Sequence, residues 1–353
     1  MRIPKLFLLT FFLIISLNNY GQEDSLPINK IQVIGSHNSY KQAIDAHLFK
    51  NLLEKDSTAL LALEYEHISI PDQLVLGLRN LEIDIYADTL GNKYASPLGS
   101  SSKSRGTYDP DGLMSHPGFK VLHIPDIDFR SSCLTFQGCL QQLKNWSDDD
   151  PGHTPVFITL EAKDKELLKL NIVPEKFTYA LFQKLDSVIK RELGVKKIIT
   201  PDLVRGNYET LEKAILDGNW PTLKDAMGKF LFILDDTKDK RELYIKDTPS
   251  LKGRVLFVNA NPGTPEAATL IRNDPFDPEI PKLVRRGYII RTRADSNTNE
   301  ARANDYDRFK AACNSGAQII TTDYYQKSSF FISSYRVSFE NNLYVRPNPL
   351  FSE

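Results

Sequence analysis

Short apolar runs that end in polar residues recur along the whole chain, and few architectures accommodate that pattern. The runs span residues 31–36, 81–86, 120–124, 156–161, 230–235, 254–259, 288–293 and 318–323. Segments with helical spacing lie between several of them, at 174–192 and 304–314 among others. Strands alternating with helices build a parallel sheet covered by helices, and eight such strands close into a (β/α)8 barrel. The 353 residues hold the ~250-residue core of that fold plus insertions. We therefore expect one α/β domain over residues 22–353, a TIM-type barrel with long loops. The segment 87–119, rich in Gly, Ser, Pro and Asp, reads as a functional or mobile loop. Residues 326–353 read as a terminal appendage.

In a barrel the chemistry sits at the C-terminal ends of the strands. Here those ends read Ser36-His37-Asn38-Ser39-Tyr40, Glu82-Ile83-Asp84, His123, Glu161-Ala162-Lys163, Arg291-Thr292-Arg293-Ala294-Asp295 and Thr322-Asp323. Side chains alternate along a strand. If Leu81, Ile83 and Ile85 face the outer helices, Glu82 and Asp84 point inward, and the same alternation in the fourth run adds Glu161. Three carboxylates in one mouth require a neutralising cation. Oxygen ligands suit Ca²⁺ or Mg²⁺, and Asn38 can add an amide oxygen. The alternative is a polar plug in which the acids pair with Lys163, Arg291 and Arg293. Of the six histidines, only His37 and His123 close apolar runs, where imidazoles suit acid–base work. His116 is a weaker competitor for the role of His123. His47, His67 and His153 read as surface or packing residues.

Composition narrows the function classes. A formal net charge of −1 gives no basic field to hold nucleic acid. No nucleophile elbow, phosphate-binding loop or zinc-protease signature is present. Arg2 and Lys5 precede an apolar run from Leu6 to Leu17 that is too short to span a ~30 Å hydrocarbon core. Residues 1–21 thus read as a signal peptide, or else as an anchor, so a secreted or periplasmic location is expected. Export permits disulfides. Cys133 and Cys139 can close a small loop, leaving Cys313 free. Spacing alone also allows three reduced thiols.

Ser36-His37-Asn38-Ser39-Tyr40 followed by Leu81-Glu82-Ile83-Asp84 resembles the catalytic X region of phosphoinositide-specific phospholipase C enzymes. Val121-Leu122-His123-Ile124-Pro125-Asp126-Ile127-Asp128, Cys133 with Cys139-Leu140, Glu161-Ala162-Lys163, Trp220-Pro221-Thr222-Leu223, Arg291-Thr292-Arg293-Ala294-Asp295, Ser315-Gly316-Ala317-Gln318 and Thr322-Asp323-Tyr324 are similar to its secreted, calcium-dependent bacterial branch. The resemblance runs from about Ile31 to Tyr325. It implies a distorted TIM barrel that cleaves phosphatidylinositol, or a phosphoinositide, to diacylglycerol and an inositol cyclic phosphate; a transient membrane contact is expected from the long loops. It also implies Ca²⁺ on Asn38, Glu82, Asp84 and Glu161, with His37 stabilising the transition state or transferring a proton and His123 as leaving-group acid. Glu82 could then take the hydroxyl proton, and Lys163, Arg291 and Arg293 could hold phosphate or ring hydroxyls. Two rival readings are a glycerophosphodiester phosphodiesterase and a catalytically inactive inositide-binding barrel. The first usually ends its first strand His-Arg-Gly, where this chain has His37-Asn38-Ser39. The second leaves both histidines and all three acids without a purpose.

Overall fold

The computed structural model describes residues 25–54, 57–101, 106–166 and 171–351; the expected signal peptide lies outside them. Ten strands form one sheet: β1 (Ile31–Ser36), β2 (Asn80–Asp88), β3 (Gly118–Lys120), β4 (Val156–Lys163), β5 (Phe230–Leu234), β6 (Phe257–Val258), β7 (Thr269–Ile271), β8 (Ile289–Arg293), β9 (Ile319–Thr322) and β10 (Val345–Pro347). Eight are parallel and run β6-β5-β4-β2-β1-β9-β8-β7 around a barrel. The ring closes between β6 and β7 through one bridge, Asn259 to Thr269. That seam is held partly by side chains. Thr269 Oγ1 donates to the Val258 carbonyl at 2.9 Å, and Asn259 Oδ1 accepts the Ile271 amide at 3.1 Å.

The long pairing of β2 with β4, from Asn80–Phe157 to Tyr86–Lys163, fixes which side chains share a level in the mouth. Asp84 stands opposite Glu161 in that register. Leu81, Ile83 and Ile85 join the main core, as do Val156, Ile158 and Leu160. The even-numbered partners in β2 therefore face inward, as the alternation requires. Outside, the helix Phe136–Asp149 buries Phe136, Cys139, Leu140, Leu143 and Trp146, an i, i+3, i+4, i+7 stripe. Thr135 caps it by accepting the Gly138 amide, and a Cys133–Cys139 disulfide ties the cap segment to the first turn. Cys313 is free. The helix Tyr179–Leu193 packs alongside on Phe182, Leu185, Val188 and Ile189. Gly35 is required in β1, because a Cβ there would lie 2.4 Å from Asn80 Cβ across the β1–β2 pair.

Three sequence expectations are corrected. The run 120–124 is not a barrel strand. Its first residue ends β3, which pairs antiparallel to the far end of β2. Beyond it the His123 and Ile124 amides both donate to the Asp128 carbonyl, so the chain turns back instead of extending. The barrel strand missing from the eight runs is β7, only three residues long and set between Pro265 and Pro275. Residues 326–351 are not a projecting appendage. They wrap the barrel: Tyr335, Val337, Phe339 and Tyr344 pack with Ile34, Tyr65 and Tyr325, and β10 covers the lower half of β1 that β2 leaves unpaired. The helix expected at 304–314 starts at Asp307 and ends at Ser315. The segment 89–117 is a long excursion, anchored where Tyr94 and Met114 pack with Tyr86 and Leu122.

Candidate active site

Glu82, Asp84 and Glu161 converge at the barrel mouth, with one oxygen of each within 4.8 Å of the others. Glu82 and Asp84 are buried, whereas the Glu161 side chain is about one-third exposed. Lys163, at the end of β4, sits between two of them, 2.7 Å from Glu161 and 3.3 Å from Asp84. Glu82 pairs closely with Arg291, whose other nitrogen donates to Asn273 at 2.6 Å. Burial works against the charge on Glu82, but Arg291, His37, Arg293 and Lys163 together hold its carboxyl below the usual carboxylate range. Asp84 differs. Burial, reinforced by the Glu161 and Glu82 carboxylates, pushes its carboxyl well up despite Lys163. Neither Asp84 oxygen has a hydrogen-bond partner of good geometry.

A buried carboxylate that shares one lysine with a second acid, beside a third, is a hard-oxygen set with unmet demand for positive charge. The residues present therefore fit a calcium ion, and Lys163 supplies a cation at the same place. Asn38 sits in the turn after β1 with φ 49° and donates Nδ2 to the Tyr65 hydroxyl at 2.8 Å, so its amide nitrogen is engaged and its oxygen is the atom it could offer a cation.

Each of the two histidines singled out from sequence is backed by an aspartate. His37 Nδ1 lies 2.8 Å from Asp323 Oδ1, and Arg293 donates to Asp323 Oδ2 at 3.2 Å. His37 Nε2 is 3.8 Å from Glu82. Burial resists ionisation of Asp323, yet His37 and Arg293 hold its carboxyl far below the usual range. His123 Nδ1 lies 2.7 Å from Asp128 Oδ2, and the Tyr86 hydroxyl donates to the His123 carbonyl at 2.8 Å. His123 thus reaches the mouth from a turn beyond β3 and not from a strand end. Burial pushes its imidazole down, with Asp128 opposing. The two side chains keep 18% and 14% of their surface, so both can meet a ligand.

Sequence reasoning missed the second member of each dyad. In sequence Asp323 is a strand end within one motif and Asp128 the end of another, and neither marks a histidine partner. It also missed Asp235, which follows β5 beside Arg291 (3.7 Å) and accepts from Asn259 at 3.3 Å. Burial raises the Asp235 carboxyl to about 7. His116 is exposed on the outer wall, in a cavity shared with Gln137, Lys184 and Arg191, away from the dyads. His153 bonds Ser147 inside the fold, and His47 lies on the surface near Asn51.

His67 is more than packing. It is buried, its ring stacks on Tyr325, and its Nε2 lies 2.7 Å from the His37 carbonyl. Burial lowers its imidazole to about 4 from an ordinary 6.5. The unfolded chain then binds more protons than the folded one between those values. Stability from this group is complete above pH ~6.5 and is lost as pH falls toward ~4, amounting to about 2–3 kcal/mol. Denaturant unfolding of wild type and His67→Gln at pH 7.5 and 4.5 checks this. The wild type should lose that much more than the variant on acidification; equal losses would mean that His67 titrates normally.

A family model described as "Phosphoinositide phospholipase C, Ca2+-dependent" matches residues 26–349. No curated protein matches the chain. Among solved structures, the calcium-dependent phosphoinositol-specific phospholipase C of a Gram-negative Pseudomonas species, crystallised in apo form and with myoinositol, is 16% identical with TM-score 0.55 over 93% of this chain and 97% of its own. The calcium-dependent phosphatidylinositol-specific phospholipase C of Streptomyces antibioticus is 19% identical with TM-score 0.57 over 85% of this chain and 95% of its own. At such identities the two structures speak for the barrel alone. The matches favour neither rival reading.

Proposed function

The chain belongs to the Ca²⁺-dependent phosphoinositide phospholipase C family, and from that premise we propose that it cleaves phosphatidylinositol or a phosphoinositide to diacylglycerol and an inositol cyclic phosphate. The observation that carries the reading is the grouping of the three carboxylates with two histidine–aspartate dyads at one barrel mouth. Asn38, Glu82, Asp84 and Glu161 would hold the calcium ion. Bound there, it supplies positive charge to a phosphate oxygen and to the inositol 2-hydroxyl, lowering the hydroxyl's pKa.

The remaining work falls to side chains. The 2-hydroxyl oxygen attacks phosphorus, its proton passes to a carboxylate, with Glu82 the candidate, and the bond from phosphorus to the glycerol oxygen breaks. His123, protonated and held by Asp128, gives its proton to the departing oxygen. His37, fixed by Asp323, donates to the oxygen on which charge develops. Arg291, Arg293 and Lys163 are placed to bind phosphate or ring hydroxyls, although each is paired with an acid in the free protein. Asp235 is placed to accept from a ring hydroxyl. The test is release of water-soluble phosphate from phosphatidylinositol vesicles, with calcium and with chelator. Release that ignores the chelator would overturn the metal assignment, and no release would overturn the activity.

The substrate lies in a bilayer, so the mouth must meet one. Leu90, Val173, Phe276 and Ile332 are each more than half exposed, and each sits in a loop that follows a barrel strand. We read them as contacts to a lipid surface. Changing Phe276 and Ile332 together to Ser should lower vesicle binding by about thirtyfold or more, since each buries ~1–2 kcal/mol of apolar surface. Turnover of a water-soluble inositol phosphodiester should be unchanged. Equal loss on both substrates would reject the contact. Among the described residues no helix is long and apolar enough to cross a membrane. Export on the basis of residues 1–21 is part of the same proposal, and N-terminal sequencing of protein recovered outside the cytoplasm tests it.

A further inference from the structure

Lys41 is a lysine with no exposed surface, in the turn after β1, where its amide donates to the Asn38 carbonyl at 2.8 Å. Its Nζ donates to the carbonyls of Leu63 at 3.0 Å and Tyr65 at 2.8 Å, and lies 4.4 Å over the Tyr65 ring. The remaining partner is Asp128: Nζ stands 3.4 Å from Asp128 Oδ1, while Oδ2 of the same carboxylate holds His123. Among the described residues no hydrogen bond reaches Asp128 Oδ1, and the Lys41 ammonium is the group beside it. The charged and titratable groups facing His123 are Asp128, Lys41 and Lys163, with the Tyr86 hydroxyl on its backbone carbonyl.

We propose that Lys41 is a positioning residue for the leaving-group acid: by sharing the Asp128 carboxylate, its buried ammonium weakens the hold of that carboxylate on the His123 proton. A histidine backed by an unshared buried aspartate would bind its proton tightly and surrender it slowly. A cation on the far oxygen of the same carboxylate lowers that affinity through charge alone. Lys41 is suited to the task because two backbone carbonyls fix its position and water cannot screen it. Burial and Lys41 act in the same direction on His123, and Asp128 acts against them.

The inference rests on His123 being the acid, and the test separates the two. Lys41→Met should raise the proton affinity of His123, moving the alkaline limb of the pH–rate profile up by about one unit. The plateau rate on phosphatidylinositol should fall about fivefold to tenfold, because an acid weaker by one unit assists the leaving oxygen less. The rate on an analogue with an acidic phenol as leaving group should change by less than about threefold. If Lys41 only supports the fold, it acts through Tyr65 and Asn38. Both substrates then lose rate, the calcium requirement rises and the limb stays in place; that result overturns the proposal. Removing one partner of a buried pair can prevent folding, so the comparison of Lys41→Met/Asp128→Asn with Asp128→Asn alone is the second arm. Equal rates for the two are expected if Lys41 acts through Asp128, and a double variant more than tenfold worse rejects it. His123→Ala losing equally on both substrates would instead sink the acid assignment itself.

Discussion

Changing Asp84 to Asn should nearly abolish calcium-supported turnover while leaving the protein slightly more stable in chelator. The two effects share a cause. Asp84 is fully buried, opposes Glu161 across the β2–β4 register, and among the described residues has the Lys163 ammonium, 3.3 Å away and shared with Glu161, as its cation. Its charge is therefore met in full only when a second cation is bound. Ligand charge count sets calcium affinity over decades, so loss of one carboxylate should raise the calcium needed for half activity by about 10²-fold or more. In chelator the same change removes a carboxyl that burial and its two acidic neighbours already oppose. Lys163 keeps its 2.7 Å contact to Glu161. The unfolding midpoint in chelator should rise by about 1–3 °C. Calcium titrations of activity and thermal unfolding of the two proteins decide the matter. A fall in both quantities would mark Asp84 as a structural partner of Lys163.

His123→Ala should lose about 10²–10⁴-fold on phosphatidylinositol, and far less on a phenolic analogue. The alkoxide of diacylglycerol leaves poorly without a proton, whereas a phenolate leaves unaided. His37 stands 3.8 Å from Glu82 and is held by Asp323, on the other side of the mouth. Charge develops on the phosphoryl oxygens whatever departs, so His37→Ala should lose rate on both substrates. Two variants on two substrates give four ratios. If His123→Ala loses equally on both, the leaving-group role falls, and the exposed, remote His116 offers no replacement.

Strict alternation made Glu82 and Asp84 legible before any coordinates: apolar residues alternating with acids in a parallel strand have only one face to offer a barrel interior. The runs that became β1, β2, β4, β5, β6, β8 and β9 carried enough apolar residues over enough length to be read. Strand β7 could not be read in three residues. The run at 120–124 misled because its apolar residues pack beside β2 without joining the ring, and the turn that returns it depends on one carbonyl, that of Asp128. Partners were the least visible part of the site. His123 and Asp128 are five residues apart, but His37 and Asp323 are separated by almost the whole chain, and only closure of the barrel brings β1 beside β9. Lys41 and His67 looked like ordinary polar residues, since nothing local in the sequence marks a lysine or histidine that will be buried against distant carbonyls.

The barrel seam has a further consequence, for opening fluctuations. Around most of the ring, neighbouring strands share several backbone pairs, but β6 and β7 share one bridge. The amide of Ile271 is held by the Asn259 side chain, so its protection from solvent hydrogen depends on a single rotamer. That same side chain donates through Nδ2 to Asp235. When the seam breathes, Asn259 must release Ile271, and its grip on Asp235 changes with it. The least cooperative stretch of the wall is thereby wired to the floor of the catalytic mouth, and a ligand that engages Asp235 would slow amide exchange at Ile271 without touching it.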